Sequence, residues 1–133
     1  MRAFRVVYGF LALNFALPTL AYAFAPDFAM AQFDALNRLL GGGPLPPEQS
    51  VFWWVLGVAN VGTLAFCCAL LLADVKRFFA VVYPLVFLKG FDAVDWAVVW
   101  ARHGEPAYGA ATVLDFFTVA ALWYFPHRAV KEA

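Results

Sequence analysis

The sequence predicts an all-α membrane protein: a bundle of four transmembrane helices, with one amphipathic helix on its surface. Three observations carry this. Of the 133 residues, 65% are hydrophobic and only 14% are charged, whereas soluble domains carry about a quarter charged residues. Four apolar segments, about 5–25, 51–73, 78–100 and 108–125, match or approach the ~20 residues needed to cross roughly 30 Å of hydrocarbon. Helix-stopping residues separate them: Pro26 and Asp27 after the first, Ala73 to Arg77 after the second, Ala101 to Pro106 after the third and Pro126 after the fourth. Together they make one transmembrane domain, 1–133.

The first segment opens with Arg2 and Arg5 and ends in an A-x-A sequence at Ala21 to Ala23, which is also the layout of a secretory signal peptide. Its apolar run is long for a signal, and it has a partner later in the chain, so it is read as a retained span. The one long connection, Pro26 to Ser50, places Phe28, Ala29, Phe33, Leu36, Leu39 and Leu40 on one arc of a helical wheel. Asp27, Asp34, Asn37 and Arg38 fall opposite. Such a helix either lies on the outer membrane surface or packs on the outer end of the bundle. It is expected to stop at Gly41 to Gly43, with the proline-rich run from Pro44 to Ser50 leading stiffly into the second span. In that span the adjacent Cys67 and Cys68 lack the spacing of a redox or zinc motif and read as small packing residues. Gly57 and Gly62 offer sites where another helix could approach closely.

Lysine and arginine set the orientation. Arg2, Arg5, Lys76, Arg77, Arg128 and Lys131 fall on one side, against Arg38 and Arg102 on the other, so both termini are expected in the cytoplasm of a cell whose inner (plasma) membrane holds the chain. Trp53, Trp54 and Trp100 then lie near the outer interface, with Trp123 and Tyr124 near the inner one, where amphipathic rings prefer to sit.

The chain also resembles itself. A shift of 75 positions aligns Arg2 to Asn14 with Arg77 to Lys89, with six of thirteen positions identical, and a weaker match at a shift of 55 pairs Asn60 with Asp115 and Thr63 with Thr118. The pattern reads as a duplicated helical hairpin, although apolar helices also resemble one another through composition alone. The alignment pairs Asn14 with Lys89 and Asn60 with Asp115, so each span contributes one polar group near its centre.

Those groups define the candidate site: a buried polar cluster of Lys89, Asp92, Asp95, Asp115, Asn14 and Asn60. A charge at the centre of a bilayer costs about 2.5–3.5 kcal/mol on insertion scales, so such residues turn inward and find partners. Lys89 and Asp92, three residues apart, share a helical face, which Trp96, Trp100 and His103 continue. Asp95 is rotated roughly 60 degrees from Asp92. Three carboxyls against one ammonium imply protonated acids, penetrating water or a bound cation. The alternative is that Lys89 and one aspartate form a helix-locking pair beside neutral hydrogen-bonding acids.

Other chemistries find no footing in the sequence. Nine basic and nine acidic residues balance, leaving no broad field for nucleic acid. The run from Gly41 to Pro44 lacks the strand, lysine and serine of a phosphate-binding loop. His103 and His127 sit at the ends of spans on opposite membrane faces, so they do not jointly ligate a haem. No catalytic residues, metal or cofactor are expected, and the partners are the lipid bilayer and other membrane proteins or a further copy. The expected role is a non-catalytic membrane subunit or scaffold. A small proton-linked transporter or channel is the alternative, and a quinone-associated redox accessory comes third.

A short basic start, a first span ending at Pro26 with an amphipathic segment after it, and three closely connected later spans with polar residues in the third resemble the DoxX-like small four-helix bacterial membrane proteins. The resemblance is one of architecture over the whole chain. No diagnostic motif carries it, the run from Lys89 to Trp96 included. It implies a membrane subunit or an accessory of a redox system, and it assigns no residue a role.

Overall fold

A computed structural model describes residues 1–46 and 51–132, apart from the side chains of 51–53, and the described residues contain helices and no strand. Five α-helices follow one another: α1 (Arg2–Phe24), α2 (Pro26–Leu39), α3 (Val51–Ala73), α4 (Val82–His103) and α5 (Pro106–Glu132), with a 3-10 turn at Phe79–Val81 before α4. Within α1, α3 and α5, the segments Arg2–Phe24, Trp54–Ala73 and Pro106–Glu132 are long and apolar enough to cross a membrane. α4 has the length, at 22 residues, but carries Lys89, Asp92 and Asp95 in its middle. The expected end of the Pro44 to Ser50 connection, from residue 47 onward, and the placement of the Trp53 ring fall outside the described residues.

The helices pack as two pairs. α1 lies along α3 and α4 along α5, α1 joins the pairs by touching α5, and α3 barely meets α4. Phe4, Tyr8, Leu11 and Phe15, at helical spacing along α1, form the core with Leu64, Cys68 and Leu71 of α3, Val82 and Leu85 of α4, and Leu122 and Ala129 of α5. Cys67 and Cys68 are both free thiols, and Cys68 is fully buried, a packing role. Gly62 is a close crossing of α1 and α3, because a Cβ there would stand 3.3 Å from Thr19 Cγ2. Gly57 faces open space among the described residues, so within the chain only Gly62 serves as a close crossing.

Local chemistry sets the boundaries. Asp74 caps the turn after α3 by accepting from the backbone N–H groups of Lys76 and Arg77, at 3.1 and 3.0 Å. α4 therefore starts at Val82, later than the expected boundary at 78. It ends where Gly104 takes the left-handed conformation at φ 74°, which suits glycine.

At Pro126 the structure corrects the sequence reading, since α5 runs through it to Glu132. Proline has no N–H to give the carbonyl four residues back, which here belongs to Leu122. The Tyr8 hydroxyl supplies that donor across the bundle, 2.6 Å from Leu122 O and buried, so the helix continues without an orphaned acceptor. Replacing Tyr8 by Phe should then strand the Leu122 carbonyl and cost about 1–3 kcal/mol. A matching fall in the detergent unfolding midpoint checks this.

Candidate functional site

The candidate side chains gather where the two helix pairs meet. Lys89 lies on the inward face of α4, one turn beyond the buried Leu85 and one turn before the buried Ala93. Its Nζ is 2.8 Å from Asp115 Oδ1 on α5, 3.7 Å from Asp92 Oδ2 on its own helix, and 5.7 Å from the centre of the Phe15 ring on α1. The second oxygen of Asp92 accepts from the Asn60 side-chain amide of α3 at 3.3 Å. Every one of the four long helices thus supplies one neighbour to a single ammonium or to its carboxylate partner.

The same four polar residues keep unused capacity. Asp115 Oδ2 and Asn60 Oδ1 are buried without a hydrogen-bond partner among the described residues. Two carboxyls surround one ammonium, so the fully ionised cluster carries one surplus negative charge. Acceptors outnumber donors, and a buried acceptor without a donor is costly.

Two members of the expected cluster stand elsewhere. Asn14 is exposed on the outside of α1, because Leu11 and Phe15 take the inward arc and a residue between them is rotated away from it. Asp95 is also exposed, since the inward arc of α4 runs through Leu85, Lys89 and Ala93. The cluster therefore consists of Lys89, Asp92, Asp115 and Asn60. The rotation foreseen between Asp92 and Asp95 takes the latter out of it.

An aromatic group joins α2 to α4 and α5. Phe33 of α2 meets Trp96 of α4 at 5.8 Å and Tyr108 of α5 at 6.1 Å between ring centres, and Trp96 and Tyr108 stack at 5.7 Å. Trp96 is one turn beyond Asp92 along α4. Tyr8, Leu11 and Phe15 belong to the apolar core.

What holds α2 there was missed in the sequence. Asn37, assigned to the polar arc of α2, is fully buried. Its amide nitrogen donates to Gly43 O at 2.7 Å and Glu105 Oε2 at 2.9 Å, and its oxygen accepts from the Ala107 backbone N–H at 2.9 Å. The expected apolar arc is largely outward, with Phe28 62% and Leu39 82% exposed, and only Phe33 of that arc enters the aromatic group. The wheel is legible in the sequence, but its rotation on the bundle is not, because one asparagine supplying three hydrogen bonds decides it. No group of three or more potential metal ligands occurs among the described residues. No protein-family model, curated protein or solved structure matches the chain.

Proposed function

We propose that the chain is a non-catalytic subunit or scaffold of an inner membrane, crossing it four times with both termini in the cytoplasm and built from two related hairpins. α4 is then the third span in chain order, added to the three segments that length and apolarity single out. The observation that carries it is the Lys89 to Asp115 contact at 2.8 Å: the charge that opposes insertion of α4 is satisfied by α5 within the same hairpin, while Asn60 of α3, 3.3 Å from Asp92, ties that hairpin to the other. The packing of α1 with α3 and of α4 with α5 agrees with a hairpin duplication. Phe4, Tyr8, Leu11 and Phe15 in the core support retention of α1 over its removal as a signal peptide. The architectural likeness to DoxX-like proteins points to the same membrane-subunit role.

A specific observation favours a second reading, a small proton-linked transporter. Surplus negative charge beside two unpartnered acceptors, Asp115 Oδ2 and Asn60 Oδ1, is a place where a proton can reside and exchange. Extraction in mild detergent followed by pull-down separates the two. A stable assembly with other membrane proteins or further copies, and no proton movement in liposomes, is expected. Proton flux through the purified chain that Asp115→Asn abolishes would overturn the scaffold.

A further inference from the structure

We propose that α1 pairs in the membrane with α1 of a second copy of this chain, in parallel, with Asn14 at the centre of the seam. On the spanning placement of α1, Asn14 is the thirteenth of its 23 residues, at the depth where lipid can satisfy no amide. It is exposed there. A second polar group lies at the same place, because Pro18, inside α1, cannot donate the backbone bond that a helix directs to the Asn14 carbonyl. The contrast with α5 is informative. There the carbonyl released by Pro126 is taken up by Tyr8, whereas no described side chain reaches the one released by Pro18.

The surrounding face has the spacing of a helix seam. Val7, Phe10, Asn14, Leu17, Ala21 and Phe24 alternate steps of three and four residues, the repeat of a left-handed helix pair. Phe10, Leu17 and Phe24 are 67%, 62% and 83% exposed, and Val7 and Ala21 are half-buried. In heptad terms Val7, Asn14 and Ala21 occupy one core position and Phe10, Leu17 and Phe24 the other. A single asparagine at the first of these fixes register and favours two strands. A second copy fits better than an unrelated helix on two counts. Copies with one topology bring Asn14 to the same depth automatically. An amide is both donor and acceptor, so two of them about a two-fold axis normal to the membrane satisfy each other.

The test is disulfide cross-linking of the full chain in lipid vesicles, with Cys67 and Cys68 replaced by alanine. Phe10→Cys and Leu17→Cys, which keep Asn14, should give covalent dimers in large excess over Leu13→Cys and Leu20→Cys, which lie 70–90 degrees round the helix by its ~3.6-residue turn. Adding Asn14→Leu to Phe10→Cys should lower the cross-linked fraction roughly three- to tenfold, and Asn14→Gln should largely restore it. Equal or greater yield at Leu13 and Leu20, no dependence on Asn14, or a monomer that takes a different protein on this face overturns the proposal. Because the seam excludes the Lys89 cluster, Lys89→Leu should leave cross-linking by folded molecules intact. Failure of the dimer is thus separable from failure of the scaffold reading.

Discussion

Lys89→Leu should destabilise the bundle by about 3–5 kcal/mol, the cost of removing one partner from a buried ion pair. The residue left behind decides the size of the loss. Asp115 keeps one oxygen without a partner even with Lys89 present, and without the ammonium its other oxygen loses the 2.8 Å contact as well. Asp92 still has Asn60, so the penalty falls mainly on Asp115. Replacing Lys89 and Asp115 together by leucine should recover much of the loss, since apolar packing of similar volume often replaces a buried pair at little cost. Detergent unfolding of the parent, the two single variants and the double variant measures both effects. A double variant no better than Lys89→Leu would mean that Lys89 acts through something other than Asp115.

Asn37→Ala should cost about 3 kcal/mol and loosen α2 from the bundle, because three hydrogen bonds vanish and the fully buried Ala107 N–H is stranded. Glu105 suffers less, as it is only half-buried and can regain water. Gly42→Ala should act in the same direction, since a Cβ there would stand 2.5 Å from the Asn37 amide nitrogen, which its hydrogen bonds prevent from moving. Faster amide exchange across α2 and at Ala107, with α3 and the rest of α5 unchanged, is the expected signature. Uniform exchange throughout the chain would contradict it.

Much of the helical layout is readable from the sequence because the membrane enforces it. Apolar length gives α1, α3 and α5 almost unaided. Lys89 beside Asp92 and Asp115 is readable too, since a lysine in an apolar run has few ways to be satisfied. The misreadings have a common physical origin in helix rotation and cross-chain rescue. Asn14 and Asp95 occupy plausible depths, but their rotation about α1 and α4 is set by which apolar residues fill the core. Pro126 looks like a stop until Tyr8, 118 positions earlier in the sequence, provides the missing donor. Asn37 reads only as a member of a polar arc, and the meeting of α2 with the Glu105 to Ala107 turn makes it a buried tie.

On the proposed topology α4 crosses the membrane with its charges satisfied inside the protein. Membrane-impermeant thiol labelling of intact cells decides this, using single cysteines at Lys76 and Gly104, which lie beyond the two ends of α4, in a chain lacking Cys67 and Cys68. Gly104→Cys should be labelled from outside, and Lys76→Cys only after the cells are opened. Labelling of both from the same side, with the chain folded, would place α4 outside the bilayer and contradict it.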